Sequence, residues 1–181
     1  MRSKNLMIAL GLLGLTLMVA PASQAQINSN VATVNLNAVL AESITVAAAP
    51  GLVNFALVGS GVSAGSAQVT IDTTWSLATT RTNVSVYAYF TAPAAALTDG
   101  AGNDIPSSAV AGSVNGGAMG AFTGASPFSG ASAVTIRNQA IGVGTYNSSS
   151  SDTLDLQIDT TGLGLPAATY TGVLNIQAQA I

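Results

Sequence analysis

The sequence has no cysteine and no histidine, and just four of its 181 residues are lysine or arginine. The missing cysteine rules out a disulfide framework and thiol-linked lipid, so stability must come from a packed core. The missing histidine and cysteine rule out nucleophilic triads and imidazole acid–base chemistry. One class of catalytic group is left, a carboxylate pair drawn from Asp72, Asp99, Asp104, Asp152, Asp155 and Asp159. These fall on the polar positions of alternating segments or in turns, where acids face solvent. The chain is therefore expected not to be an enzyme. Charged residues make up 6% of the chain and hydrophobic ones 49%, which is the opposite of a disordered composition.

Two of the four cations, Arg2 and Lys4, head residues 1–25. An almost unbroken apolar run over 6–20 follows, then Pro21-Ala22-Ser23-Gln24-Ala25, a small-residue cleavage pattern. This is the layout of a signal peptide, with Gln26 as the expected mature N-terminus. The apolar run is shorter than the ~20 residues a membrane helix needs, so no membrane span is expected after cleavage. Removing 25 of 181 residues leaves 156, ordinary for one domain. Arg81 and Arg137 then stand against seven acids, a net charge of −5. Two separated cations cannot neutralise a row of phosphates, which excludes nucleic acid and disfavours anionic membrane surfaces. The expected location is the periplasm, the cell surface or the extracellular space.

What the chain does have is alternation. Val34, Leu36, Ala38, Leu40, Ile44 and Val46 fall on one parity, with Thr33, Asn35, Asn37, Ser43 and Thr45 on the other. That period predicts one long strand or two in line, interrupted near Ala41 because Glu42 breaks the apolar face. Pro50-Gly51 is a turn, and Val53, Phe55 and Leu57 share one face of a short strand over 52–58. Val69, Ile71, Thr73, Trp75 and Leu77 mark the clearest internal strand, with the only tryptophan on its buried face. Val84, Val86, Ala88 and Phe90 mark the next, with Tyr87 and Tyr89 on its reverse side. A loop over 92–106 leads to a strand within 107–114, ended by the hairpin signal Asn115-Gly116. Residues 117–130 read as an extended Gly/Ser-rich loop. Val134 and Ile136 mark another strand, and 146–151 a polar turn. Leu154, Leu156 and Ile158 then point inward while Asp155, Gln157 and Asp159 point out. Tyr170, Leu174, Ile176, Ala178 and Ala180 alternate with Val173, Asn175, Gln177 and Gln179 in a closing strand tied into a sheet. No segment has a helical period. About eight short strands between Gly, Pro, Asn and Ser clusters predict an all-β fold. The expected architecture is an antiparallel immunoglobulin-like β-sandwich, one domain over residues 26–181, behind a cleaved signal peptide.

Leu165-Pro166-Ala167-Ala168-Thr169-Tyr170 has the form of a tyrosine corner, in which the hydroxyl bonds back to the backbone ahead of its strand. With Thr171-Gly172-Val173-Leu174-Asn175-Ile176 it resembles the closing strand of bacterial secreted sandwich proteins. Those include spore-coat-U-like and other fimbrial subunits and the cell-wall WxL domains. The chain departs from chaperone–usher subunits in having no cysteine pair, and from WxL domains in lacking their second motif. The resemblance implies the sandwich architecture and a role in surface structure.

Three segments are candidate sites. Asp99, Asn103 and Asp104, in Asp99-Gly100-Ala101-Gly102-Asn103-Asp104, resemble one unit of the calcium-binding repeats of secreted β-rolls. Calcium takes several oxygens from such flexible loops, but the repeat works by stacking copies. A plain hairpin turn is the expected reading, with no cofactor. Tyr87 and Tyr89 offer two rings on one strand face, a stacking surface for sugars, or else they pack beneath a loop. Val34, Leu36, Ala38 and Leu40 form the apolar face of a candidate donor strand, able to complete a neighbour's sheet or simply to begin its own. The expected function is a secreted structural subunit of a cell-surface or extracellular assembly, a pilus-like filament or coat. Its expected partners are further copies or other surface proteins. The alternative is a secreted glycan- or surface-binding module of adhesin type.

Overall fold

The computed structural model describes residues 29–128 and 130–181. The expected signal segment, residues 1–25, lies outside the described residues. Val39–Ile181 form a compact unit of their own. Among the described residues the strands are β1 (Ser43–Ala49), β2 (Val62–Ala64), β3 (Val69–Ser76), β4 (Asn83–Phe90), β5 (Leu97–Thr98) and β6 (Asp104–Ile105). They continue with β7 (Val110–Val114), β8 (Gly120–Ala121), β9 (Gly124–Ala125), β10 (Ser132–Ala140), β11 (Asn147–Asp159) and β12 (Asn175–Ala180). The only helical pieces among them are two three-residue 3-10 turns, so the fold is all-β. No helix among the described residues is long and apolar enough to cross a membrane.

Among the described residues every strand pair is antiparallel, and no sheet closes into a barrel. One sheet runs β1-β3-β11-β7-β8, with β2 also on β11. A second runs β12-β4-β10-β9, and β5 and β6 form a small hairpin. The first two sheets share one core. Val69, Ile71, Leu154 and Ile158 from one meet Val86, Ala88, Phe90 and Ile136 from the other. The alternation of β3 is as the sequence predicts, with Val69, Ile71, Thr73 and Trp75 buried and Thr70, Asp72 and Thr74 exposed. Asn115 and Gly116 both have positive φ, 51° and 70°, as a tight turn after β7 requires.

Several expectations are corrected. Residues 29–42 form no strand; the first begins at Ser43. Their alternation is real, but they have no ladder partner among the described residues, and an isolated strand is not stable. Residues 52–58 hold only an isolated bridge, Phe55 to Gly65, although Val53, Phe55 and Leu57 do pack on the core. Pro50, which has no N–H to donate, stops the β1 ladder just before them. Residues 147–151 are strand and not turn, since Asn147 to Ser151 pair with Ser76 to Asp72 of β3. A well-patterned neighbour imposes the ladder on a serine run with little strand preference of its own. The Gly/Ser-rich stretch after β7 carries β8, β9 and a fully buried Phe122, whose ring meets Phe90 edge-on with centroids 5.1 Å apart. The closing strand begins at Asn175, two residues later than the alternation from Val173 implies.

Candidate docking groove

β1 and β12 are edge strands of their sheets and lie against each other. Past Ala49 the two edges part. On one side the chain runs through residues 50–57, held by the Ser66 N–H donating to the Asn54 carbonyl (2.8 Å). On the other it runs through residues 168–174 on its way into β12. Here the tyrosine corner forms as its residues predict: the Tyr170 hydroxyl donates to the Pro166 carbonyl at 3.0 Å. Thr171 and Thr98 then exchange two backbone bonds of 2.9 Å, which fix the segment to β5. Gly172 sits so close to the Ala96 carbonyl that a Cβ there would collide with it.

Between these walls lies a cavity of about 660 Å³, the size of a ligand pocket. Its floor is the shared core, reached at Val69, Phe90, Leu97, Val110, Leu156 and Ile158. Its lips are bare hydrophobics, Leu52 at 69% exposure and Val173 at 72%. No lining residue carries charge at neutral pH. Tyr170 is the one titratable group, and desolvation, followed by the nearby Asp99 charge, pushes its hydroxyl above the usual phenol range. Among the described residues, the backbones of Leu52 and Val53 on one wall and Gly172 and Val173 on the other make no hydrogen bond. The groove thus combines apolar depth, bare rims and unpaired main-chain groups. Unpaired main chain beside apolar depth is what an extended chain can pair with.

Compared with known proteins, the chain matches no family model, no curated protein and no solved structure.

The three segments singled out from sequence fall outside the groove. Val34, Leu36 and Leu40 are exposed, at 81%, 92% and 83%, and Ala38 is exposed with them. Tyr89 is buried, its ring against Phe128 (5.5 Å between centroids) and its hydroxyl hydrogen-bonded to Gln177 at 2.8 Å. Tyr87 is half-buried and meets the same Phe128 edge-on at 5.9 Å. Phe128 therefore packs against both rings, leaving less of the ring surface a sugar would need.

Asp99 closes the β5–β6 hairpin upon itself. Its carboxylate accepts from the N–H of Ala101 and of Asn103 and from the Asn103 side-chain amide, at 2.8, 3.1 and 2.6 Å. The Asn103 amide first, then the Ala101 N–H, holds its carboxyl below the usual range. Asn103 thus turns a donor and not its oxygen toward Asp99, and Asp104 is exposed on β6. The described residues contain no cluster of three or more acidic, cysteine or histidine side chains that could hold a metal.

Asp152 corrects the reading of the acids as solvent-facing. It continues the inward register of Leu154 and is 1% exposed. Arg137 of β10 reaches it from the other sheet, Nε donating to Oδ2 at 2.7 Å and Nη2 to Oδ1 at 2.6 Å. The Asn115 amide donates a third bond, at 2.8 Å. Burial pushes the Asp152 carboxyl up, but the bonds from Arg137 and Asn115 outweigh it and hold the group below its usual range. The pair ties β10 of one sheet to β11 of the other.

Sequence reasoning missed the groove itself. Both walls were legible as turn-like segments, Pro50-Gly51 and Leu165-Pro166, but 116 residues separate Pro50 from Pro166 and nothing local says that they meet.

Proposed function

We propose that this protein is an exported structural subunit of a cell-surface or extracellular assembly, a pilus-like filament or coat whose subunits join by strand addition. In this reading residues 1–25 are removed and residues 26–181 act as an immunoglobulin-like sandwich domain. What carries it is one observation. Val31, Val34, Leu36, Val39 and Leu40 are each more than 80% exposed within ten residues, on a segment with strand alternation and no strand. Scattered exposed hydrophobics are ordinary, but a contiguous run of them marks an interaction surface. The missing catalytic side chains and the low charge agree with a building block, and residues 26–41 have no charged side chain. Tyr89 lies beneath Phe128 and lends the glycan-binding alternative no support.

The test is negative-stain electron microscopy of purified protein lacking residues 1–25, over a concentration series. Filaments or ordered coats are expected. A monodisperse monomer at every concentration overturns the proposal.

A further inference from the structure

We infer that Asn115 is a self-modification site. When the turn after β7 opens, the Asn115 side-chain amide is lost to the neighbouring Gly116 nitrogen, and the acid left behind cannot close the turn against Asp152 again. The inference needs no second molecule and stands apart from the subunit reading above.

Asn115-Gly116 is the one Asn-Gly pair in the chain. Glycine has no side chain to keep its backbone nitrogen from the asparagine carbonyl carbon. Both residues are exposed, with φ of 51° and 70°. Nothing lies within 4 Å of where a Gly116 Cβ would stand. Among the described residues the Gly116 N–H makes no hydrogen bond, so the attacking nitrogen is free.

The step balances with water as the sole co-reactant. The Gly116 nitrogen bonds to Asn115 Cγ and gives up its proton. The Cγ–Nδ2 bond breaks, ammonia leaves, and a cyclic imide remains. Water then opens one of the two imide bonds. Opening the new bond to Cγ gives an aspartate. Opening the main-chain bond gives an isoaspartate, with the chain rerouted through the side chain. No oxidant or reductant is consumed.

Where the amide is held sets both the rate and the consequence. Nδ2 donates to Asp152 Oδ1 at 2.8 Å, and Oδ1 accepts from the Thr153 N–H at 2.8 Å. The Asn115 N–H donates to the Thr153 carbonyl at 2.9 Å. These three bonds fix Cγ against β11, so it meets the Gly116 nitrogen only after the turn opens. The product then carries an acceptor where the donor was. Its carboxylate would face Asp152, which is 1% exposed, and like charges in such a site disfavour each other. Asp152 also loses one of the three bonds it accepts from side chains. Each molecule that opens and reacts is therefore marked for good, loosened beside the Arg137–Asp152 pair.

The test follows, by mass spectrometry, the peptide holding Asn115 and Gly116. The purified chain is kept warm at mildly alkaline pH, either folded or in urea. Conversion of amide to acid is expected in both, and at least about tenfold slower in the folded chain because the turn must open first. Equal rates would show that the three bonds protect nothing. No conversion in urea would remove the site. Either result overturns the inference. Asn115→Asp carries the product's charge, and Asn115→Gly keeps the positive φ without a side chain. Thermal melting at neutral pH should place Asn115→Asp below Asn115→Gly. The reacted parent, separated from the unreacted by ion exchange, should also melt lower, which holds the question open to test even if neither variant folds. Equal melting in either comparison overturns the claim that the acid cannot close the turn.

Discussion

Arg137 and Asp152 form a bidentate ion pair between the two sheets, with the carboxylate 1% exposed and the guanidinium side chain 28% exposed. Removing Arg137 would strand the Asp152 carboxylate in a poorly hydrated site. Arg137→Ala should cost about 3 kcal/mol, the low end for a buried pair because the arginine keeps some water. At 2–4 °C per kcal/mol for a domain of this size, Tm should fall by roughly 6–12 °C. Thermal melting checks it; a change of under 2 °C would show that the pair contributes nothing net.

Acid stability follows from the same carboxylate and from Glu42. Glu42 is lowered to about 2, chiefly by the hydrogen bond from Arg81 and then by the Ala78 N–H. Both groups have folded-state values below their unfolded ones. Their stabilisation is therefore fully present above the unfolded value, near pH 4, and is lost as pH falls through the folded value. Tm should be flat from pH 7 to about 5 and decline steadily below about 4. Asp152→Asn should lower Tm at neutral pH and flatten the acid decline. A Tm that rises between pH 5 and pH 3 would contradict the assignment.

Trp75 is 2% exposed and donates its indole N–H to the Thr145 carbonyl at 2.9 Å, pinning the turn before β11 onto β3. Phe122 is fully buried in the shared core. Trp75→Ala and Phe122→Ala should each cost ~3–5 kcal/mol. Chemical denaturation of each variant reads this directly, and a midpoint unchanged from the parent would rule out the packing described for that residue.

Calcium should leave the protein unmoved. The Asp99 carboxylate is already engaged by three donors of its own hairpin. Asp99→Ala should lower Tm equally in calcium and in chelator. A calcium-dependent rise in the parent that disappears in Asp104→Ala would instead establish a site, by ligand linkage.

Processing is checked by mass spectrometry of exported material. Its N-terminus should be Gln26, with residues 1–25 gone. Intact Met1 on exported protein would refute the signal reading.

The sequence made some of this fold plain and hid the rest for identifiable reasons. The faces of β3, the positive-φ turn at Asn115-Gly116 and the Tyr170–Pro166 bond follow from local pattern, where each residue type has one job. Ser148 to Ser151 did not read as strand because β3, 70-odd residues away, supplies their ladder. Asp152 looked like one more surface acid because a lone Arg137 in another strand gives no sign of its target. Phe122 lay in a stretch without periodicity, and periodicity was the signal in use. The groove exists only after two segments distant in sequence, 50–57 and 168–174, are brought together.

The scarcity of cations has a consequence for durability. Proteases that cut after lysine or arginine find two sites in residues 26–181. Arg137 lies within β10, laddered to β4, with its guanidinium held by Asp152. That leaves the bond after Arg81, which is also paired to a carboxylate, Glu42, but lies in the exposed turn between β3 and β4 and outside any strand. A nick there would still leave β3 paired to β11 and β1 to β3, so the two fragments would remain one folded object. Such a cut would therefore leave the fold in one piece.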